Sequence, residues 1–137
     1  MVKSQSLKDY PDFWKYQLPF IAWMIFIFVL SSIPGSTLSH IEFPYAHPIA
    51  HALLYSTLYY TAYTAFRHQH ISKFLTTYCA TSAFVFTALY GASDEYHQSF
   101  TPGRTPEFKD FMIDVTAAFV VVAILFVREH LHSQKSG

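Results

Sequence analysis

Charge is missing from long stretches of this chain, and that absence decides what it can fold into. Four runs, at 18–33, 49–66, 74–92 and 111–127, contain no Asp, Glu, Lys or Arg except Asp114 in the last. Each approaches the roughly 20 residues an α-helix needs to cross a bilayer. A soluble helix requires a polar face, and the first run and the AAFVVVAILFV end of the fourth have none to offer. The second run is rich in Tyr, Ser and Thr, so it is expected to face partner helices. The third carries Cys79 with several Ala, Thr and Ser that permit close helix packing. Pro34-Gly35 stops the first run. Trp14 and Tyr16 supply interfacial aromatics before it, with Lys15 able to snorkel. Thr105 as N-cap, Pro106 at the first helical position and Glu107 near the dipole open the fourth helix. The expectation is an all-α fold, an integral membrane four-helix bundle, as one domain over 1–137 with spans at about 18–33, 49–66, 74–95 and 106–127. A soluble bundle is disfavoured, and so is a cleaved signal peptide, because no clear cleavage site follows the first apolar run.

Composition removes other classes. Lys+Arg and Asp+Glu stand at nine each, so neither a basic nucleic-acid footprint nor an acidic tail exists. The lone Cys79 forms no internal disulfide and belongs to no zinc-ribbon spacing. With four spans, one side holds Lys3, Lys8, Lys15, Arg67, Lys73, Arg128 and Lys135, whereas the other has only Arg104 and Lys109. The positive-inside bias therefore predicts both termini in the cytoplasm of a multi-pass protein. Acids show the opposite skew: Glu42, Asp94, Glu95, Glu107, Asp110 and Asp114 fall outside or near the outer face.

Two segments should meet at that outer face: HPIAHALLY at the start of the second span, and YGASDEYHQSFTPGRTPEFKDFMID between the third and fourth. On helices, His51 and Tyr55 fall one turn apart, as do Tyr90, Asp94 and Gln98, and Asp110 and Asp114. If the fourth helix begins near Pro106, Asp110 lies ~6 Å and Asp114 ~12 Å along it. A carboxylate at such depth costs roughly 2.5–3.5 kcal/mol unless paired or neutral. Arg104, held in a Thr101-Pro102-Gly103-Arg104 turn of type II character, is a candidate partner, as are His51, His97 and Tyr55; a purely structural network, with Arg104 bridging Asp94, Asp110 and Asp114, is the alternative to a polar pocket built for a ligand or a reaction. His40 and His47 are expected to sit solvated in the loop after Pro34. Glu95 points some 100° from Asp94 and reads as a residue at the rim or one that supports the site from behind. Asp94, Asp110, Asp114 and Gln98 offer oxygens that suit Mg²⁺ or Ca²⁺, and His51 and His97 offer nitrogens for Zn²⁺. No HExxH-type spacing is present and Arg104 competes for the carboxylates, so no metal or cofactor is assigned from sequence.

At these residues the chain resembles the VanZ-like family of small bacterial membrane proteins. His51 with Tyr55 matches its His-x-x-x-Tyr. The run from Asp94 and Glu95 through Gln98, Phe100 and Pro102 to Arg104 matches its Asp-Glu-x-x-Gln-x-Phe-x-Pro-x-Arg. Asp110 and Asp114 match its trailing acids. The likeness covers roughly residues 40–125. Two departures stand out: His47-Pro48 where the family usually has Asp-Lys, and Ala117 where a Gly is common. The first either removes an acid and a base from the pocket or lets His47 substitute; the second implies a slightly looser helix approach. The resemblance implies a four-helix protein of the bacterial cell envelope, in the inner (plasma) membrane, in a family whose founding member is associated with teicoplanin resistance.

Three activities compete. In the first, an outward polar pocket of Tyr55, Gln98, Arg104, Asp110 and Asp114 binds an envelope lipid head group, a lipid-linked cell-wall precursor or a glycopeptide; Arg104 suits phosphate or carboxylate. In the second, a membrane-embedded hydrolase or transferase uses Asp94 or Glu95 as general acid or base and His51 as proton shuttle, with Arg104 stabilising a developing anion. A small transporter is the third, disfavoured because the chain is too short to enclose a gated path without forming a homo-oligomer. Membrane lipids are the expected surroundings, and no nucleic-acid partner is expected.

Overall fold

The computed structural model describes residues 12–38 and 45–135, so Lys3, Lys8, His40 and Glu42 lie outside the described residues. Among the described residues every regular element is helical. A π-helical segment, Phe13–Gln17, runs into α1, Leu18–Ser31. The short α2, Gly35–Leu38, precedes α3, Ala46–Arg67, then α4, Lys73–Thr77, α5, Cys79–Gln98, and α6, Phe108–Lys135.

Boundaries differ from expectation where polar groups intervene. The third run breaks at Tyr78, and α4 has its own N-cap, the Ser72 side chain accepting from the Leu75 N–H at 3.4 Å. The following helix continues to Gln98, past the expected end at 95. There Gln98 Nε2 donates to Asp94 Oδ2 at 2.9 Å, one turn back, and ties the last turn together. The fourth helix begins at Phe108, not Pro106, and runs to Lys135. Its N-terminal acceptor comes from another helix, Glu95, in place of Thr105. Its last turns outlast the apolar run because exposed Arg128, Glu129 and His130 can continue a helix in water. In α3 the chain enters through Tyr45 at φ 65°, and Pro48 fits because it lies in the first turn, where no intrahelical donor is lost.

α3 is the central helix, packed against α1, α5 and α6, with α5 and α6 also in mutual contact. Small residues make the contacts close: Ala62, Ala65, Ala83, Ala117 and Ala118 are all buried, so the Ala117 position tolerates its methyl inside the interface. Tyr59 and Tyr63 fill one core cluster, and Ile27, Tyr55 and Leu58 another. Polar groups cross between helices: Trp23 Nε1 donates to Leu54 O at 2.9 Å, and the Tyr90 hydroxyl to Met24 O at 2.7 Å. Tyr90 thus joins α5 to α1 and makes no hydrogen bond to Asp94.

Two helical stretches, Phe13–Ser31 and Phe108–Lys135, are long and apolar enough to cross a membrane. Their greasy side chains point out of the bundle: Phe28, Val29, Ile124 and Phe126 are all at least half exposed. Contacts at the two ends define the chain's course. His47 faces Asp110 at 3.4 Å and Arg67 faces Glu129 at 2.9 Å, so α3 and α6 run in the same direction. Ser31 of α1 meets Asp94 of α5, and Gln17 Nε2 donates to Ala65 O at 3.2 Å, so α1 and α5 run opposite to α3. One end of the bundle therefore gathers the C-termini of α1 and α5 with the N-termini of α3 and α6. Both ends of the described chain lie at the other.

Candidate functional site

The loop after α5 is shaped by two glycines. The Thr101-Pro102-Gly103-Arg104 turn closes with Arg104 N–H donating to Thr101 O at 3.1 Å, and Gly103 adopts φ 72°, as the third residue of a type II turn requires. Gly35 N–H donates to Pro102 O at 3.0 Å, and a Cβ on Gly35 would lie 1.8 Å from Gly103 O. Only glycine lets these two backbone segments touch. The turn then clamps the end of α1: the Thr101 hydroxyl donates to Ser31 O at 3.2 Å, Arg104 Nε to Ile33 O and an Arg104 Nη to Leu30 O, both at 3.2 Å. The expectation that Arg104 bridges the acids is corrected here. Its guanidinium donates to the Ile33 carbonyl just beyond α1 and adds a second donor to Leu30 O, which also accepts the Ile33 N–H at 3.2 Å, and no acid lies within ion-pair distance of it among the described residues.

The acids are partnered differently. Asp114, 1% exposed, pairs with His51 of α3, Nδ1 to Oδ1 at 2.9 Å. His51 is itself buried and sits one turn from Tyr55, the two rings stacked at 6.1 Å. Asp94 has both oxygens occupied: the Ser31 hydroxyl donates to Oδ1 and Gln98 Nε2 to Oδ2. Glu95 is buried rather than at the rim. Its Oε2 accepts the Glu107 N–H at 2.9 Å, holding the start of α6 to the end of α5. His47 is on the first turn of α3, not in a loop; it remains half exposed while facing buried Asp110 at 3.4 Å. His97 stays outside the cluster, against Ser32 at 3.0 Å and stacked on Phe28 at 4.5 Å.

His51, Glu95 and Asp114 thus come from three helices to one buried place, their candidate donor atoms within 4.8 Å of one another. The accounting of polar atoms there is incomplete. Glu95 Oε1, Asp114 Oδ2 and the Tyr55 hydroxyl are buried without a hydrogen-bond partner. Each such orphan costs roughly 1–3 kcal/mol, more if charged. Gly91 makes the room: a Cβ there would stand 3.3 Å from both Asp114 Oδ2 and Tyr55 Cε1.

Beside this cluster lies a cavity of about 230 Å³ between α1, α3 and α5. Its polar wall is His47, His51, Asp94, Gln98 and Arg104; its apolar wall includes Ile27, Leu30, Ile33 and Leu54. The structure therefore gathers His51, Tyr55, Asp94, Gln98 and Arg104 around one space. Glu95, Asp110 and Asp114 are close by but do not line it. Sequence reasoning missed Ser31 as the partner of Asp94, although a Ser-Ser pair ending an apolar run was a visible sign. It also missed that the Asp94-Glu95 pair, 100° apart, sends one acid to α1 and one to α6.

A family model described as VanZ/LLP1 matches residues 14–129. No curated protein and no solved structure matches the chain. The match spans α1 to the last turns of α6 and takes in every residue of the cluster and the cavity wall. The chain belongs to the VanZ/LLP1 family.

Proposed function

We propose that this is a multi-pass inner-membrane protein of the bacterial envelope, its four long helices spanning the bilayer with both termini cytoplasmic. The cavity opens toward the outer face and binds the head group of an envelope lipid or lipid-linked cell-wall precursor. The outward apolar faces of the first and last long helices support the membrane placement. The seven-to-two distribution of Lys and Arg supports the orientation.

One observation carries the ligand: a cavity whose polar wall of His51, Asp94, Gln98 and Arg104 meets an apolar wall of Ile27, Leu30, Ile33 and Leu54. An amphiphile has that same division. At about 230 Å³ the space is smaller than the roughly 300–1,000 Å³ of pockets for drug-sized ligands. A head group fits; a whole glycopeptide does not. Teicoplanin-type tolerance, suggested by the family, would then act through the antibiotic's lipid-linked target.

A second reading, a membrane-embedded hydrolase or transferase acting on a lipid-linked substrate, is favoured by the unpartnered Glu95 and Asp114 oxygens beside His51. Purified protein is offered short-chain phosphatidylglycerol and a short-chain polyprenyl diphosphate, with binding and product followed by mass spectrometry. Retention of one ligand by wild type and its loss in Gln98→Ala is expected. Equal, non-saturable partitioning of both into wild type and variant would sink the binding reading. Product formed by wild type but not Glu95→Gln would transfer the case to the enzyme. Labelling of Phe100→Cys, in a Cys79→Ala background, by an impermeant maleimide only from the cytoplasmic side would refute the orientation.

A further inference from the structure

We propose that His51, Glu95 and Asp114 form a binding site for a divalent transition-metal ion, Zn²⁺ by the character of the donors. The inference goes beyond the head-group reading and does not depend on it. Three elements supply one donor residue each, α3, α5 and α6, and all three residues are at least nine-tenths buried: His51 6%, Glu95 9% and Asp114 1% exposed. Their donor atoms lie within 4.8 Å of one another.

The unpartnered oxygens point to a ligand. Glu95 Oε1 and Asp114 Oδ2 are buried with no hydrogen-bond donor, in a chain that otherwise satisfies its neighbouring acid Asp94 twice over. A cation is the partner such oxygens lack. Charge agrees: two carboxylates, a neutral imidazole and a divalent ion sum to zero, the arrangement a low-dielectric interior favours. A protonated His51 alone would neutralise only one of the two acids.

One imidazole and two carboxylates suit Zn²⁺, which takes three protein ligands with an open fourth position at about 2.0–2.2 Å from nitrogen and oxygen. Mg²⁺ and Ca²⁺ prefer oxygen-only sets. The supporting contacts are also present. Glu95 Oε2 is fixed by the Glu107 N–H, which aims the carboxylate. Gly91 leaves space against Asp114 Oδ2 that any side chain would narrow. His47 and Asp110, whose donor atoms group with those of His51 in the same way, lie on the more open side and offer a route in from the half-exposed His47.

The test uses full-length protein in detergent, stripped with chelator, reloaded with Zn²⁺ alone, and freed of excess metal by gel filtration. The expected result is one zinc per chain by elemental analysis, with Co²⁺ giving ligand-field absorption in its place. Asp114→Asn, His51→Ala and Glu95→Gln should each weaken zinc at least tenfold, whereas Asp94→Asn should retain it. Folded wild type that retains less than about a tenth of an equivalent after reloading would overturn the proposal without any variant being needed. Zinc held equally by wild type and Asp114→Asn would overturn it too. Zinc bound by a protein that retains no lipid upholds this site and counts only against the head-group reading; lipid retained by a protein that takes no zinc does the reverse.

Discussion

The buried pair between His51 and Asp114 makes a quantitative demand. Its atoms are 2.9 Å apart and the side chains are 8% and 1% exposed. At an effective dielectric of about 20, opposite charges at that distance attract by roughly 6 kcal/mol before desolvation is subtracted. Breaking such a pair from one side costs about 3–5 kcal/mol, because the survivor stays buried without its partner. His51→Gln and Asp114→Asn are each expected to lose that amount in chelator-treated protein, where metal plays no part. The double variant removes both partners and should lose no more than either single one, so the coupling energy is about 3 kcal/mol or more. For 137 residues, with an unfolding entropy of about 2.1 cal/mol/K per residue, each single loss lowers Tm by about 10–17 °C. Thermal unfolding of the four proteins in one detergent measures all of it. Single losses that add to within about 0.5 kcal/mol in the double variant would refute the pairing, since uncoupled sites add to that accuracy.

Three further substitutions read other parts of the bundle. Gly35→Ala places a Cβ 1.8 Å from Gly103 O, backbone that cannot rotate away, and should destabilise by about 3 kcal/mol, the upper part of the usual overpacking range; a Tm equal to wild type would dissolve the glycine contact. Arg104→Ala takes the donor from Ile33 O and one of two donors from Leu30 O and should cost about 1–2 kcal/mol, with Arg104→Lys failing to restore it because one ammonium does not reproduce a two-nitrogen fork; full rescue by Lys would contradict the clamp. Arg67→Ala at the opposite end should cost less than about 1 kcal/mol despite a 2.9 Å contact, because that pair is 50% and 62% exposed. A loss as large as that of Asp114→Asn would show that distance, and not burial, governs these pairs.

Much of this architecture was legible in the sequence because charge was so unevenly spread. The stretches free of charge located all four long helices, and Pro-Gly pairs located two of the bends. The Thr101 to Arg104 turn was readable down to the positive φ at Gly103, since only glycine occupies that position cheaply. The acids' partners were not readable. Arg104 is the cation the motif places among the acids, but its guanidinium is spent on carbonyls at the end of α1, some seventy residues earlier, and helix-end demand leaves no mark on composition. The His51 to Asp114 pair spans 63 residues and depends on α3 and α6 running in the same direction with their first turns level. The span count and the resemblance both brought them to one face, and neither said which acid met which base. Helix ends were misjudged wherever the capping group came from another helix, as Glu95 does for α6.

Four buried carboxylates gather at this end of the bundle, and hydrogen-bond accounting separates their roles where sequence treats them alike. Asp94 accepts from Ser31 and Gln98 on its two oxygens, so it acts as a fastener between α1 and α5 and has little left to offer a reacting group. Asp110 faces half-exposed His47 and can exchange partners with water. Glu95 and Asp114 each spend one oxygen on structure and keep the other buried and unpartnered. A fold that needed only stability would have little reason to keep them, since apolar residues of similar volume are often as stable as a buried ion pair. Their cost is tolerable if something arrives to share it. On the proposed metal reading, the free oxygens mark where an ion would bind, and the satisfied ones mark how the bundle holds its shape.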